Sequence, residues 1–313
     1  MTIEIIGSGA MGMLFGARLA LSGSKVRMWA RTAAQADLLN KEGISYTDLS
    51  SNTRVVPMTC LSSASAISTN DVTKWILLAV KQTAIDDSMI SLLNHIASPH
   101  TPVICIQNGI GHMEKLRSKL PGISFVAAVS TEGALRTEQN SVKYTGKGSL
   151  WIEEWSDQWR QSMPLFHARN EVISSLQSAV IDAHFSNDMD AMVLRKLLVN
   201  SVINPLTAIY GFKNGRLPLH PLSHQLMKAL FTETLGILEA TYGRVLGEHL
   251  WEFVLKVCDD TANNESSMLS DVRAQRQTEV KWINGGVIQL ANRINTQAPL
   301  NNAMVALVES LVE

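Results

Sequence analysis

Cysteine is scarce in this 313-residue chain: Cys60, Cys105 and Cys258 are odd in number and far apart. That argues against a disulfide framework and a cysteine-ligated metal, and it fits a reducing compartment. The eight histidines show no paired ligand spacing, so no metal is expected. Basic runs are missing too. The 27 Lys and Arg against 28 Asp and Glu leave a net charge of −1, so neither nucleic acid nor anionic membrane is an expected partner. No apolar run approaches the ~20 residues that span a bilayer. The opening "MTIEIIGSG" lacks a cationic segment and reaches glycine too early for a signal peptide. These absences predict a soluble, cytoplasmic protein.

What is present is core-forming material: 46% of residues are hydrophobic and 18% charged. The length exceeds one compact core, so two domains are expected. Short β-rich runs at 2–7, 25–30, 74–80, 102–106 and 124–130 alternate with helical intervals. Near-continuous apolar strands separated by helices predict a mainly parallel, doubly wound sheet of Rossmann type, covered on both faces. From 131 to 153 shorter β runs predict an antiparallel extension. A helix over 165–178 and the run "AVIDAHF" complete a domain spanning 1–187. Residues 188–313 carry no convincing strand signal and predict an all-α domain, with breaks at "GFKNGRLPLHP" and "TANNESS".

"GSGAMG" (Gly7, Ser8, Gly9, Ala10, Met11, Gly12) follows the first strand and opens a helix, the context a dinucleotide-binding loop requires. Gly7 allows the turn, Gly9 admits a pyrophosphate, and Gly12 lets helix and strand pack closely. The helix N-terminus offers free N–H groups to the phosphates. After the second strand the sequence reads "RMWARTAAQ", with Arg31 where a carboxylate would hold an adenine-ribose hydroxyl. A guanidinium there suits a 2′-phosphate, which favours NADP (NADPH) over NAD; the alternative is a solvated surface arginine. Lys81 and Asn108 also end strands, on the rim where such sheets bind ligands. Taken singly, Lys81 reads equally as a solvated lysine and Asn108-Gly109 as a turn.

The helical half poses a sharper question. "RKLLVNSVINPLTAIYG" (195–211) is apolar nearly all round, yet Lys196, Asn200 and Asn204 recur every fourth residue and share a face. A buried ammonium is costly unless it is paired or loses its proton. The stripe is therefore an internal polar seam or the wall of a cleft. Pro205 either kinks this helix, freeing the Ser201 carbonyl, or ends it. "ESSMLSDVRAQRQTEVKWINGG" (265–286) reads as one helix whose start is marked by Ser266 or Ser267 and whose polar stripe is Ser267, Asp271, Gln275 and Glu279. Ser267 can be an N-cap or a ligand contact, and Glu279 can be a salt-bridge partner of Lys196.

These blocks, together with "AVKQ", "QNG" and the "NG" at 214–215, resemble the ketopantoate reductase family along nearly the whole chain. The resemblance implies a Rossmann domain that holds NADPH and a helical domain that closes over a 2-oxo acid. It implies Lys196 as general acid and Glu279 as an essential carboxylate. It further implies that Asn108, Asn200, Asn204, Asn214 and Ser267 contact substrate, with Arg31 and Lys81 serving the cofactor. Two rivals stay open: a reductase of another branched 2-oxo acid on the same scaffold, and a non-catalytic NADPH-sensing regulator. The Lys196–Glu279 pair argues against the sensor, which needs neither residue. Monomer and homodimer are both compatible with the sequence.

Overall fold

The computed structural model describes residues 2–62, 73–154, 162–243 and 245–312. The chain divides into two compact units. The first comprises residues up to Gln107 together with His112–Met189, and the second takes Asn108–Gly111 with Asp190 onward.

The first unit is built on an eight-stranded sheet. Its strands are β1 (Thr2–Ile6), β2 (Val26–Ala30), β5 (Thr59–Ser62), β6 (Thr73–Leu78), β7 (Pro102–Cys105), β8 (Ser124–Ser130), β11 (Leu150–Glu153) and β12 (Ala183–Ser186). They lie in the order β12-β11-β8-β7-β6-β1-β2-β5. All neighbours run parallel except β8 and β11. From β1 the chain winds outward through β2, returns to β6, and winds the other way. The switch point therefore lies between β1 and β6, where such sheets bind ligands. Alternation along β1 sends Ile3 and Ile5 to one core and Ile6 to another. Helices α1 (Ala10–Leu21) and α5 (Met163–Ser178) cover the first face, while α3 (Asp87–Ile96) and α4 (His112–Lys119) cover the second.

One expectation is corrected here. The β runs between 131 and 153 do not all extend the main sheet. The hairpin of β9 (Gly133–Glu138) and β10 (Ser141–Gly146) joins β3 (Ile44–Thr47) and β4 (Thr53–Val56) in a separate four-stranded sheet. That sheet packs on α1. Only β11 supplies an antiparallel neighbour to the main sheet, followed by the parallel β12. Strands β3, β4 and β5 leave no clear mark in the sequence. Each is only four residues long, too short for a pattern to register; β3 alternates buried and half-buried positions, while β4 and β5 carry exposed ones.

Among the described residues, every regular element of the second unit is a helix. Helix α6 (Met189–Tyr210) runs through its core, with α7 (Pro221–Tyr242), α8 (Leu250–Asp260), α9 (Ser267–Arg273), α10 (Val280–Arg293) and α11 (Pro299–Glu309) around it. By length and composition α6 could cross a membrane, contrary to the expectation that no run comes close. However, 61% of its most apolar window is buried inside the protein, as befits the core helix of a globular unit.

A buried charge pair crosses the centre of the main sheet. Glu4 stands opposite Arg27 in register and is fully buried. It accepts from Arg27 Nε at 3.1 Å and from Trp29 Nε1 at 2.7 Å. Removing one partner strands the other charge. We therefore expect Arg27→Met to destabilise the protein by about 3–5 kcal/mol in urea denaturation, and Glu4→Met/Arg27→Met to lose much less.

Candidate active site

The glycine loop leaves β1 and enters α1 with geometry fixed by its own neighbours. Gly7 has φ +111°, a region L side chains rarely adopt. A Cβ on Gly12 would sit 1.8 Å from the Gly7 carbonyl oxygen. Gly9 differs: its φ is −81°, and a Cβ there meets nothing within 4 Å. Packing within the chain thus demands glycine at 7 and 12, whereas at 9 glycine keeps space clear. No side chain caps α1, and its first turn carries no acidic residue, so its N-terminal N–H groups and positive dipole end suit an anion. Ser8 faces inward, donating through Oγ to Gln35 Oε1 at 2.8 Å. Gln35 Nε2 donates back to the Ser8 carbonyl at 3.2 Å and to the Gln139 carbonyl at 2.9 Å. Sequence reasoning does not single out Gln35; its one signal is a glutamine among the buried positions of α2 (Ala33–Glu42). Arg31 is exposed just beyond β2, and half-buried Lys81 opens a short 3-10 turn (Gln82–Ala84) after β6. Both follow parallel strands at their carboxyl ends, and this loop set fits a phosphate-bearing dinucleotide.

The second unit gathers the other candidates. Half-buried Lys196 sits on α6 one turn before Asn200 and two before Asn204. Burial lowers the Lys196 pKa to about 8, and the Glu279 carboxylate pulls it back up. Glu279, only 7% exposed, immediately precedes α10. It accepts from Asn108 Nδ2 at 3.2 Å. Ile110 N donates to the Trp282 carbonyl at 3.3 Å, which holds the Asn108 segment against α10. Lys196, Glu279 and Asn108 thus form one electrostatic group. Among the described residues, the side chains of Asn200, Asn204 and Ser267 make no hydrogen bond, leaving their polar atoms available to a ligand.

One local expectation changes, and of the two serines offered as the helix start Ser266 is the cap. Residues 265–286 do not form one helix: α9 ends at Arg273 and α10 begins at Val280. Between Val272 and Val280 the only apolar residue is Ala274, so no core face sustains the helix. Gln275 takes φ +49°, Arg276 N donates to the Asp271 carbonyl at 2.9 Å, and Gln275 N donates to the Val272 carbonyl at 3.0 Å. These bonds close the end of α9 in a Schellman motif. The stripe from Ser267 to Glu279 is therefore interrupted, and Glu279 reaches Asn108 because α10 starts afresh. The N-cap of α9 is Ser266, whose Oγ accepts from Leu269 N at 3.0 Å. Ser267 is the exposed first residue of the helix. Asn214 donates through Nδ2 to Thr261 Oγ1 at 2.9 Å, while its buried Oδ1 has no partner among the described residues.

A glycine-loop α/β unit joined in one chain to helices that shelter a lysine–carboxylate pair is the organisation of a Rossmann-type oxidoreductase. Kinship narrows the class. Residues 3–157 match the family Ketopantoate reductase PanE/ApbA, and residues 188–312 match Ketopantoate reductase PanE/ApbA C terminal. A 2-dehydropantoate 2-reductase of Bacillus subtilis is 31% identical over 292 residues, covering 93% of this chain and 91% of that protein. The crystal structure of a probable 2-dehydropantoate 2-reductase from Bacillus subtilis is similar with a TM-score of 0.80 at 29% identity, covering 99% of this chain and 100% of that one. The ternary structure of D-mandelate dehydrogenase with NADH and anilino(oxo)acetate shares the fold alone, with a TM-score of 0.87 at 22% identity over 100% of this chain and 98% of that one. The chain belongs to the ketopantoate reductase family, and it is an oxidoreductase.

The two glycines separate stability from binding. Gly12→Ala should destabilise the fold by about 1–3 kcal/mol through overpacking. Gly9→Ala should leave the denaturation midpoint unchanged and raise the dissociation constant for the dinucleotide about tenfold or more, read by fluorescence titration.

Proposed function

We propose that this protein reduces 2-dehydropantoate (ketopantoate) to pantoate with NADPH, the step that serves pantothenate and coenzyme A synthesis, in the cytoplasm. The observation that carries the reading is Lys196, drawn down to about 8 by burial on an apolar helix and electrostatically coupled to Glu279. The glycine loop (Gly7, Ser8, Gly9, Ala10, Met11 and Gly12) would hold the pyrophosphate, Arg31 the 2′-phosphate, and Lys81 and Asn108 further cofactor groups. NADPH supplies the hydride when bound.

Hydride addition to the 2-oxo carbon builds negative charge on the carbonyl oxygen. A cationic donor therefore stabilises the transition state more than the ground state. Lys196 Nζ gives its proton to that oxygen. With a pKa of about 8, it is mostly protonated at neutral pH yet less basic than an ordinary lysine, which suits proton donation. Glu279 keeps the ammonium charged against desolvation, and Asn108 holds the carboxylate by its Nδ2. Asn200 and Asn204 take the substrate hydroxyl with amides that have no other partner among the described residues. Ser267, exposed at the start of α9, meets the substrate carboxylate, with Asn214 as a further contact. A regulator that merely sensed NADPH would need no such acid.

Loss of NADPH absorbance on adding ketopantoate, with NADH in parallel, tests the reading; no turnover with either cofactor would overturn it. Lys196→Ala should lower kcat by about 10²–10⁴, and full activity in that variant would remove Lys196 from the mechanism. Because the acid must be protonated, kcat should fall as pH rises through about 8. Arg31→Ala should raise KM for NADPH and leave KM for NADH nearly unchanged.

A further inference from the structure

Pro205 lies inside α6, not at its end. It has no N–H, so the Ser201 carbonyl four residues earlier loses its helical donor. Ser201 is fully buried, and an unpaired buried carbonyl costs about 1–3 kcal/mol. Asn284, on α10 and also fully buried, makes up the deficit: its Nδ2 donates to the Ser201 carbonyl at 2.9 Å. The second proton of that amide goes to Asn301 Oδ1 at 2.9 Å. Asn301 Nδ2 in turn reaches Glu233 Oε1 at 2.9 Å and Thr234 Oγ1 at 3.1 Å. Glu233 also accepts from Leu300 N at 3.0 Å and Asn301 N at 2.9 Å, closing the start of α11. The proline in α6 is thus answered by a chain of buried amides that ends on a carboxylate.

The bonded carbonyl belongs to Ser201, which sits between Asn200 and Asn204. The donor sits five residues after Glu279 on the helix that Glu279 precedes. We propose that Asn284 is a positioning residue: by taking the bond that Pro205 denies the helix, its amide fixes Asn200 and Asn204 relative to Glu279 and so sets the hold on substrate. This rests on the substrate roles given above to Asn200 and Asn204. Thr207 does a related job one turn on, its hydroxyl standing 2.7 Å from Ser266 Oγ at the cap of α9. It has no proline counterpart, whereas the Pro205–Asn284 pairing makes the two residues conditional on each other.

The test is a double-mutant cycle of wild type, Pro205→Ala, Asn284→Ala and the double variant, read by urea denaturation and by steady-state kinetics. Asn284→Ala should lower the folding equilibrium constant about tenfold or more. In the Pro205→Ala background the helix again supplies a backbone N–H to the Ser201 carbonyl, so there the loss of the Asn284 amide should cost several-fold less. Each single variant should lose about 10²-fold in kcat/KM for the oxo acid, since small misplacements carry that penalty. The double should lose no more than either, with KM for NADPH unchanged in all. If Asn284→Ala is too unstable to purify, the double variant should still fold. Additive losses in stability, an unaltered kcat/KM in Asn284→Ala, or a double variant that fails to fold would overturn the proposal. The stability half of the cycle needs no substrate, so its outcome is separate from that of the Lys196 variant.

Discussion

The second unit depends on one electrostatic constraint: an ammonium held on the helix that forms the core. Water is the best solvent for a lysine, and α6 withdraws much of it. The penalty appears as a pKa lowered to about 8, against an ordinary 10.5, and Glu279 limits the fall. A carboxylate that is itself 7% exposed must in turn be held, and Asn108 does so through Nδ2. Each buried polar group thus requires the next. Such a chain is poor economy for stability alone, because well-packed apolar residues often serve a core as well or better. It would serve the proposed role of Lys196, keeping a proton donor near working pH in a defined place.

The two units divide the work by physics. The sheet brings the ends of parallel strands together and leaves backbone N–H groups at the start of α1 without a side-chain cap. That arrangement suits a phosphate-bearing ligand and needs no titratable group. The helices do the reverse. They offer long rigid faces on which residues four apart stay aligned, suited to placing an acid and amide donors at fixed spacing. The helix carrying them is interrupted in its bonding by proline, and that gap requires a partner of its own. Side-chain amides link this region by hydrogen bonds to Ser201, Asn301 and Glu233, in addition to its apolar packing.

Sequence patterns that depend on neighbours a few residues away are legible. The parallel sheet follows from apolar runs alternating with helices, and α6 is visible as an apolar helix with a polar stripe at Lys196, Asn200 and Asn204. Features that depend on tertiary partners are not. The run "SVKYTG" (β10) reads as part of an antiparallel extension, but nothing in it says that its neighbours are β9 and β3 and not the main sheet. The break between α9 and α10 escapes notice because Arg273 to Glu279 looks like a solvated helical face. The left-handed turn at Gln275 has no glycine to announce it. Glu4 and Arg27 each look like a lapse in a strand until register sets them opposite one another. Asn284 has an indirect signal in Pro205, since a proline inside a buried helix leaves a carbonyl that something must satisfy.

The most direct test of the account is the titration of Lys196 itself, followed by NMR of the 13Cε-labelled lysine, in the wild type and in Glu279→Gln. A tuned acid predicts a midpoint at about 8 in the wild type and a lower one once the carboxylate is neutralised. A wild-type midpoint at the ordinary 10.5, unmoved by Glu279→Gln, would contradict it, for then the helix would carry only a well-solvated lysine.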